Sequence, residues 1–185
     1  MLKLIQFSGK FLKIFFFGII PFILLSGGSK GDVDYLRIEK GTCSFNVEGN
    51  INFHLDGLAT FTNVTEQDKF GNTTDKLLLS FTSGTDGEIQ TLEFIIAAKS
   101  KKHHGVTLGV HRIKNLDRLL NRFSGVYGFA DLGSVSELPF FIKSGDIIIT
   151  EIFSNKVDGK LEVQLENANG ETLNVEGSFN ADIKV

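Results

Sequence analysis

The chain has 185 residues, 42% of them hydrophobic and 22% charged, with 22 acidic side chains against 19 basic ones and a net charge of −3. A length of this order fits one domain with a core of its own, and the acidic balance repels phosphate backbones and argues against nucleic-acid binding. The single cysteine, Cys43, excludes an internal disulfide, so the fold must be held by its core alone.

Lys3, Lys10 and Lys13 precede an uncharged apolar run from Ile14 to Leu25, and Ser26, Gly27, Gly28 and Ser29 follow it. A basic start, a short apolar middle and a small-residue exit make the layout of a secretory signal. A spanning helix needs roughly 20 apolar residues. Only 16 uncharged positions separate Lys13 from Lys30, the last four are Ser-Gly-Gly-Ser, and Pro21 interrupts the run. Residues 1–28 are therefore expected to be a signal peptide cut between Gly28 and Ser29, with 29–185 a single domain. The alternative is an uncleaved anchor in the inner membrane, lengthened by a snorkelling Lys13. No cysteine stands at the exit, so a lipid anchor is not expected. Removing 28 of 185 residues leaves 157, and losing three of 19 basic side chains leaves 16 against 22 acidic, a net charge of −6. The product is expected to be exported, periplasmic or extracellular, touching a membrane only through this segment if it is uncleaved.

Beyond the signal the pattern is period-two. Phe45, Val47, Ile51, Phe53, Leu55, Ala59 and Phe61 all fall on odd positions, interrupted by Gly49-Asn50 and Asp56-Gly57. This predicts two strands, or one long bent strand with a bulge near Gly57. Asn63–Asp75 is polar and reads as a loop. Strands follow at Leu77–Thr82, Ile89–Ala98, Val106–Ile113, Val126–Asp131, Leu138–Ile142 and Ile147–Phe153. A hairpin turn is expected at Thr82–Gly87 and a basic turn at Lys99–Gly105. Leu116, Leu119, Leu120 and Phe123 have helical spacing and predict one short helix over Asn115–Phe123. Alternation over 157–166 and again over 173–185, joined by Asn169-Gly170, is a strong hairpin signal. Nine or ten short strands predict an all-β fold, an antiparallel β-sandwich in preference to a closed β-barrel.

Candidate chemistry is sparse. His54 and Asp56 are two apart on a predicted strand and share its polar face, where an aspartate could orient an imidazole as a base. No motif places a serine or cysteine nucleophile beside them. His103 and His104 are adjacent, so in an extended chain they point to opposite faces, and Lys99, Lys101 and Lys102 oppose a cation there. Asp86-Gly87 and Asn169-Gly170 lack the alternating oxygens and closing glutamate of a calcium loop. Asn63-Val64-Thr65 and Asn72-Thr73-Thr74 match the glycan acceptor pattern, which in a bacterial chain marks ordinary loop residues. Cys43 reads as a small buried hydrophobe. No catalytic residue, metal site or cofactor is expected. With no Trp and two Tyr, the chain lacks the flat aromatic platforms of sugar-binding modules, although its 18 Phe leave a Phe-lined apolar cavity open.

Cys43-Ser44-Phe45-Asn46-Val47-Glu48-Gly49, followed by Phe53–Phe61, Gly145–Thr150 and Val175–Phe179, resembles small exported β-sandwich proteins of Gram-negative bacteria, often lipid-anchored and of unknown function. The resemblance covers most of the mature chain, implies the sandwich and carries no catalytic residues. The expected function is a non-enzymatic exported domain that binds a protein or envelope component through its loops. The alternative is a carrier that encloses a small apolar ligand in a β-shell, and a hydrolase using His54 and Asp56 ranks third.

Overall fold

The computed structural model describes residues 41–85, 88–99, 105–113 and 125–184. The signal segment, the cut between Gly28 and Ser29, the turn residues Asp86 and Gly87, the pair His103 and His104, and the helix expected over Asn115–Phe123 lie outside them.

Most of the alternating segments become strand. The elements are β1 (Thr42–Glu48), β2 (Phe53–Gln67), β3 (Thr73–Thr85), β4 (Glu88–Lys99), β5 (Gly109–Arg112), β6 (Gly125–Asp131), β7 (Phe140–Ile152), β8 (Lys156–Glu166) and β9 (Thr172–Ile183). In β1 the odd residues Cys43, Phe45 and Val47 are buried and the even ones exposed. Val157, Leu161, Val163 and Leu165 on β8 and Leu173, Val175, Phe179 and Ala181 on β9 are likewise buried.

These strands form a closed antiparallel barrel, where a sandwich was expected. Eight of them are hydrogen-bonded in the cyclic order β7-β6-β4-β3-β2-β1-β9-β8, and β8 pairs back onto β7 to close the ring. The four-residue β5 lies along the same edge of β7 as β6: β6 takes Phe140 and Phe141, and β5 takes Asp146 to Ile149. Strand β1 is shorter than its neighbours, so beyond Thr42 strands β2 and β9 meet directly in parallel, Thr60 opposite Asp182 and Phe61 opposite Ile183. Alternation says only that each strand has one buried face, which a sandwich and a barrel share; closure depends on which strands pair.

Several local expectations change with it. The polar stretch Asn63–Asp75 is mostly strand: β2 and β3 stay paired out to Gln67 opposite Thr73. Only 68–72 turn, organised by Asp68, whose carboxylate accepts the amides of Phe70 and Asn72 and the Asn72 side chain, at 2.8, 2.9 and 2.8 Å. Donation from the Asn72 side chain and amide holds the Asp68 pKa below its ordinary value. No register shift occurs at Gly57. The irregularities lie on β7, between Ile142 and Ser144 and between Ile149 and Glu151. There the segments expected as two strands, Leu138–Ile142 and Ile147–Phe153, become one bent strand. Val106–Ile113 shortens to the four residues of β5. The β8–β9 hairpin forms with five connecting residues, tied by Asn167, whose Oδ1 accepts the amides of Asn169 and Glu171, each at 3.0 Å.

An eight-stranded barrel is just wide enough for its interior to be filled by side chains. Phe81 sits centrally, with Phe45 at 5.0 Å, Phe179 at 5.1 Å and Phe94 at 6.1 Å between ring centroids. Phe45, Phe94 and Phe179 each stand directly opposite a glycine on the next strand: Gly177, Gly128 and Gly159. A Cβ at those glycines would come within 2.8, 2.2 and 2.5 Å of the facing ring. The absent side chains make room for rings that cover the bare backbone. With an apolar interior and Asp158, Lys160, Glu162 and Glu176 facing outward, the barrel inverts the layout of a membrane-spanning one.

Candidate functional site

His54 and Asp56 share the outer face, as their spacing requires, with side chains 51% and 70% exposed. Cross-strand register adds two residues that chain order did not suggest, because Ser44 lies opposite Asp56 and Asn46 opposite His54. His54 Nδ1 is 2.7 Å from Asn46 Oδ1, while Nε2 is 3.0 Å from Ser44 Oγ and 3.1 Å from Asp56 Oδ1. A nucleophile–base–acid relay needs the carboxylate on the ring nitrogen remote from the hydroxyl. Here Asp56 and Ser44 share Nε2. The neutral ring satisfies the Ser44 hydroxyl and the imidazolium satisfies Asp56. The hairpin closing at Gly49–Asn52 is the sequence signal that could have paired these strands.

Beside this cluster a depression of about 400 Å³ is lined by Thr42, Cys43, Ser44, Asp56, Gly57, Ser178, Phe179 and Asn180. Cys43 is 4% exposed, and its Sγ donates to the Leu58 carbonyl at 3.8 Å. Burial pushes the thiol from its ordinary 9.0 up to about 11; a hydrogen bond from the Gly57 backbone opposes this and the Asp56 charge adds to it. Between those two values the unfolded chain has lost the proton that the native state keeps. Stability is therefore intact below 9 and falls as the pH rises towards 11, by about 1.4 kcal/mol per unit. Chemical denaturation across that window should show the stability difference between wild type and Cys43→Ala shifting steadily against the wild type. A constant difference would place the thiol in water.

A second concavity, of about 360 Å³, lies on the outer face across β2, β3, β4, β6 and β7. Its floor is the backbone of one cross-strand row, Phe61, Leu79, Phe94 and Gly128, the three apolar side chains of which turn into the core. One wall is the outward row Thr62, Leu78, Ile95 and Tyr127. The other is Thr60, Ser80, Glu93, Phe129 and Phe141. Lys184 lines the β9 end, its amide donating to the Phe61 carbonyl at 2.8 Å, and Ile142 lines the β7 end. Five strands at about 4.8 Å spacing make this trough roughly 19 Å long. Alternation places these residues outside the barrel, but only the pairing order brings five strands' worth of them together.

Among the described residues no group of three or more His, Cys, Asp or Glu is placed to hold a metal. His111 on β5 has Nε2 2.8 Å from the Thr107 carbonyl oxygen.

The described residues thus form a closed eight-stranded antiparallel barrel with a filled interior and a trough on its outer wall. Comparison of the chain with protein-family models, curated proteins and solved structures gives no match.

Proposed function

We propose that this is an exported, non-enzymatic binding domain and that it binds an extended apolar ligand in the trough on its outer wall. The observation that carries the reading is a concavity of about 360 Å³ whose walls include Leu78, Ile95, Tyr127, Phe129 and Phe141 alongside Thr60, Thr62, Ser80 and Glu93. Small-molecule sites are concave, mostly apolar and roughly 300–1,000 Å³. Of the two binding activities the sequence suggested, this favours the apolar carrier, with the ligand on the shell rather than inside it, since the interior is occupied by phenylalanine. The sharing of Nε2 by Ser44 and Asp56 weighs against hydrolysis at His54. The basic start, apolar run and small-residue exit of residues 1–29 support export.

Ile95 points out of the barrel between Leu78 and Tyr127, so an acidic replacement there spoils the trough without entering the core. Ile95→Glu is expected to weaken uptake of a hydrophobic fluorescent dye at least about tenfold, the loss of about 1.4 kcal/mol. Ile51→Glu, at an exposed apolar position away from the trough, should leave uptake unchanged. Equal uptake by both variants would remove the trough as the site.

A further inference from the structure

The trough is graded along its length, and the grading selects a ligand class. At the β2 and β9 end stand Thr60 and Thr62 on β2 and Lys184 just past β9, with Ser80 next to them on β3; at the β6 and β7 end stand Phe129 and Phe141. Resting on the trough being the binding site, we infer that its ligand is a long-chain fatty carboxylate, with its head at Lys184 and its tail running across the strands towards Phe141.

Two features of the charge pattern carry this. Among the described residues Lys184 is the one cation in the lining, and it lies at an end. A head held there leaves nearly the whole of the roughly 19 Å run for a tail. Glu93 is the one acid among the described lining residues, and it lies mid-trough, opposite Ser80 on one side and Phe129 on the other. A cationic head at Glu93 would divide the run and leave about two strand spacings on either side, roughly 10 Å. For an anionic head, Glu93 acts in the opposite sense. It repels the carboxylate from the middle of the trough and so orients the chain with its head towards Lys184. The hydroxyls around that end can donate to the carboxylate, and the far end offers the tail the rings of Tyr127, Phe129 and Phe141.

The test compares a fatty acid, the fatty alcohol and the alkylamine of the same chain length as competitors for a bound hydrophobic dye, using the purified protein at neutral pH. The carboxylate should displace the dye about fivefold more tightly than the alcohol, and the amine should be weakest, as suits a charge contact at an exposed end. Raising the salt concentration should shrink that preference. Lys184→Met should bring the carboxylate down to the level of the alcohol measured on the same variant. Glu93→Gln should not weaken the carboxylate relative to the alcohol measured on the same variant, and a carboxylate preference lost in Glu93→Gln would overturn the orienting role of Glu93. Equal binding of all three, tighter binding of the amine, or a carboxylate preference that survives Lys184→Met would overturn the head assignment while the trough remains the site. Failure of all three to compete would remove the trough reading with it.

Discussion

Phe81→Ala is expected to destabilise the barrel by about 3–5 kcal/mol, the range for emptying a large aromatic position in a close-packed core. Phe81 is 0% exposed, and its ring meets those of Phe45, Phe94 and Phe179 from three other strands. Removing it takes away apolar surface burial, three ring contacts and the volume that keeps opposite walls apart. Strands held in a hydrogen-bonded ring cannot close freely on the void, so the cost should fall in the upper part of that range. In urea denaturation the midpoint should drop with little change in slope, because the surface exposed on unfolding is nearly the same. In thermal unfolding, 3–5 kcal/mol corresponds to a fall of very roughly 6–20 °C for a domain of this size. Phe81→Leu should cost clearly less. A loss below about 1 kcal/mol for the alanine variant would mean that the barrel centre is not packed around this ring.

Gly145→Ala should cost about 2–4 kcal/mol, combining backbone strain with a steric clash. Gly145 has φ of +116° and follows the irregularity on β7, and a Cβ there would lie 2.2 Å from the Glu162 carbonyl oxygen on β8. The obstructing atom is backbone in the ladder that closes the ring, so a side chain cannot swing aside to relieve it. Gly170→Ala separates the two causes. It has φ of +80° in the β8–β9 connection but nothing within 4 Å of an added Cβ, and should cost only about 1 kcal/mol of conformational strain. Equal losses at the two positions in chemical denaturation would show that the clash at Gly145 is relieved by movement of β8.

Gly145→Ala acts on the feature that separates this barrel from the sandwich the sequence suggested. A bent β7 can pair with β6 and β5 along one edge and with β8 along the other, and this double pairing closes the ring. The bend comes from register shifts and a positive φ, which the sequence marks only as a glycine between two apolar runs. At Asn63–Asp75 the misreading has a different cause. Paired strands need no apolar face where they leave the core, and Thr65 to Asp75 at 2.8 Å and Glu66 to Lys76 at 2.6 Å supply polar cross-strand contacts instead.

By itself, the sequence determined the local backbone and the sidedness of most strands. A period of two in Thr42–Glu48, Lys156–Glu166 and Thr172–Ile183 leaves one consistent set of inward residues, and a slip of one position would put Phe45, Leu161 or Phe179 in water. It also determined that Cys43 would be buried and that His54 and Asp56 would share a face. Tertiary structure alone decided that the sheet closes, that Ser44 and Asn46 join His54, and that outward residues of five strands form a trough ending at Lys184. Those outcomes depend on pairings between residues tens of positions apart, and each strand's alternation is satisfied equally well by more than one order of neighbours.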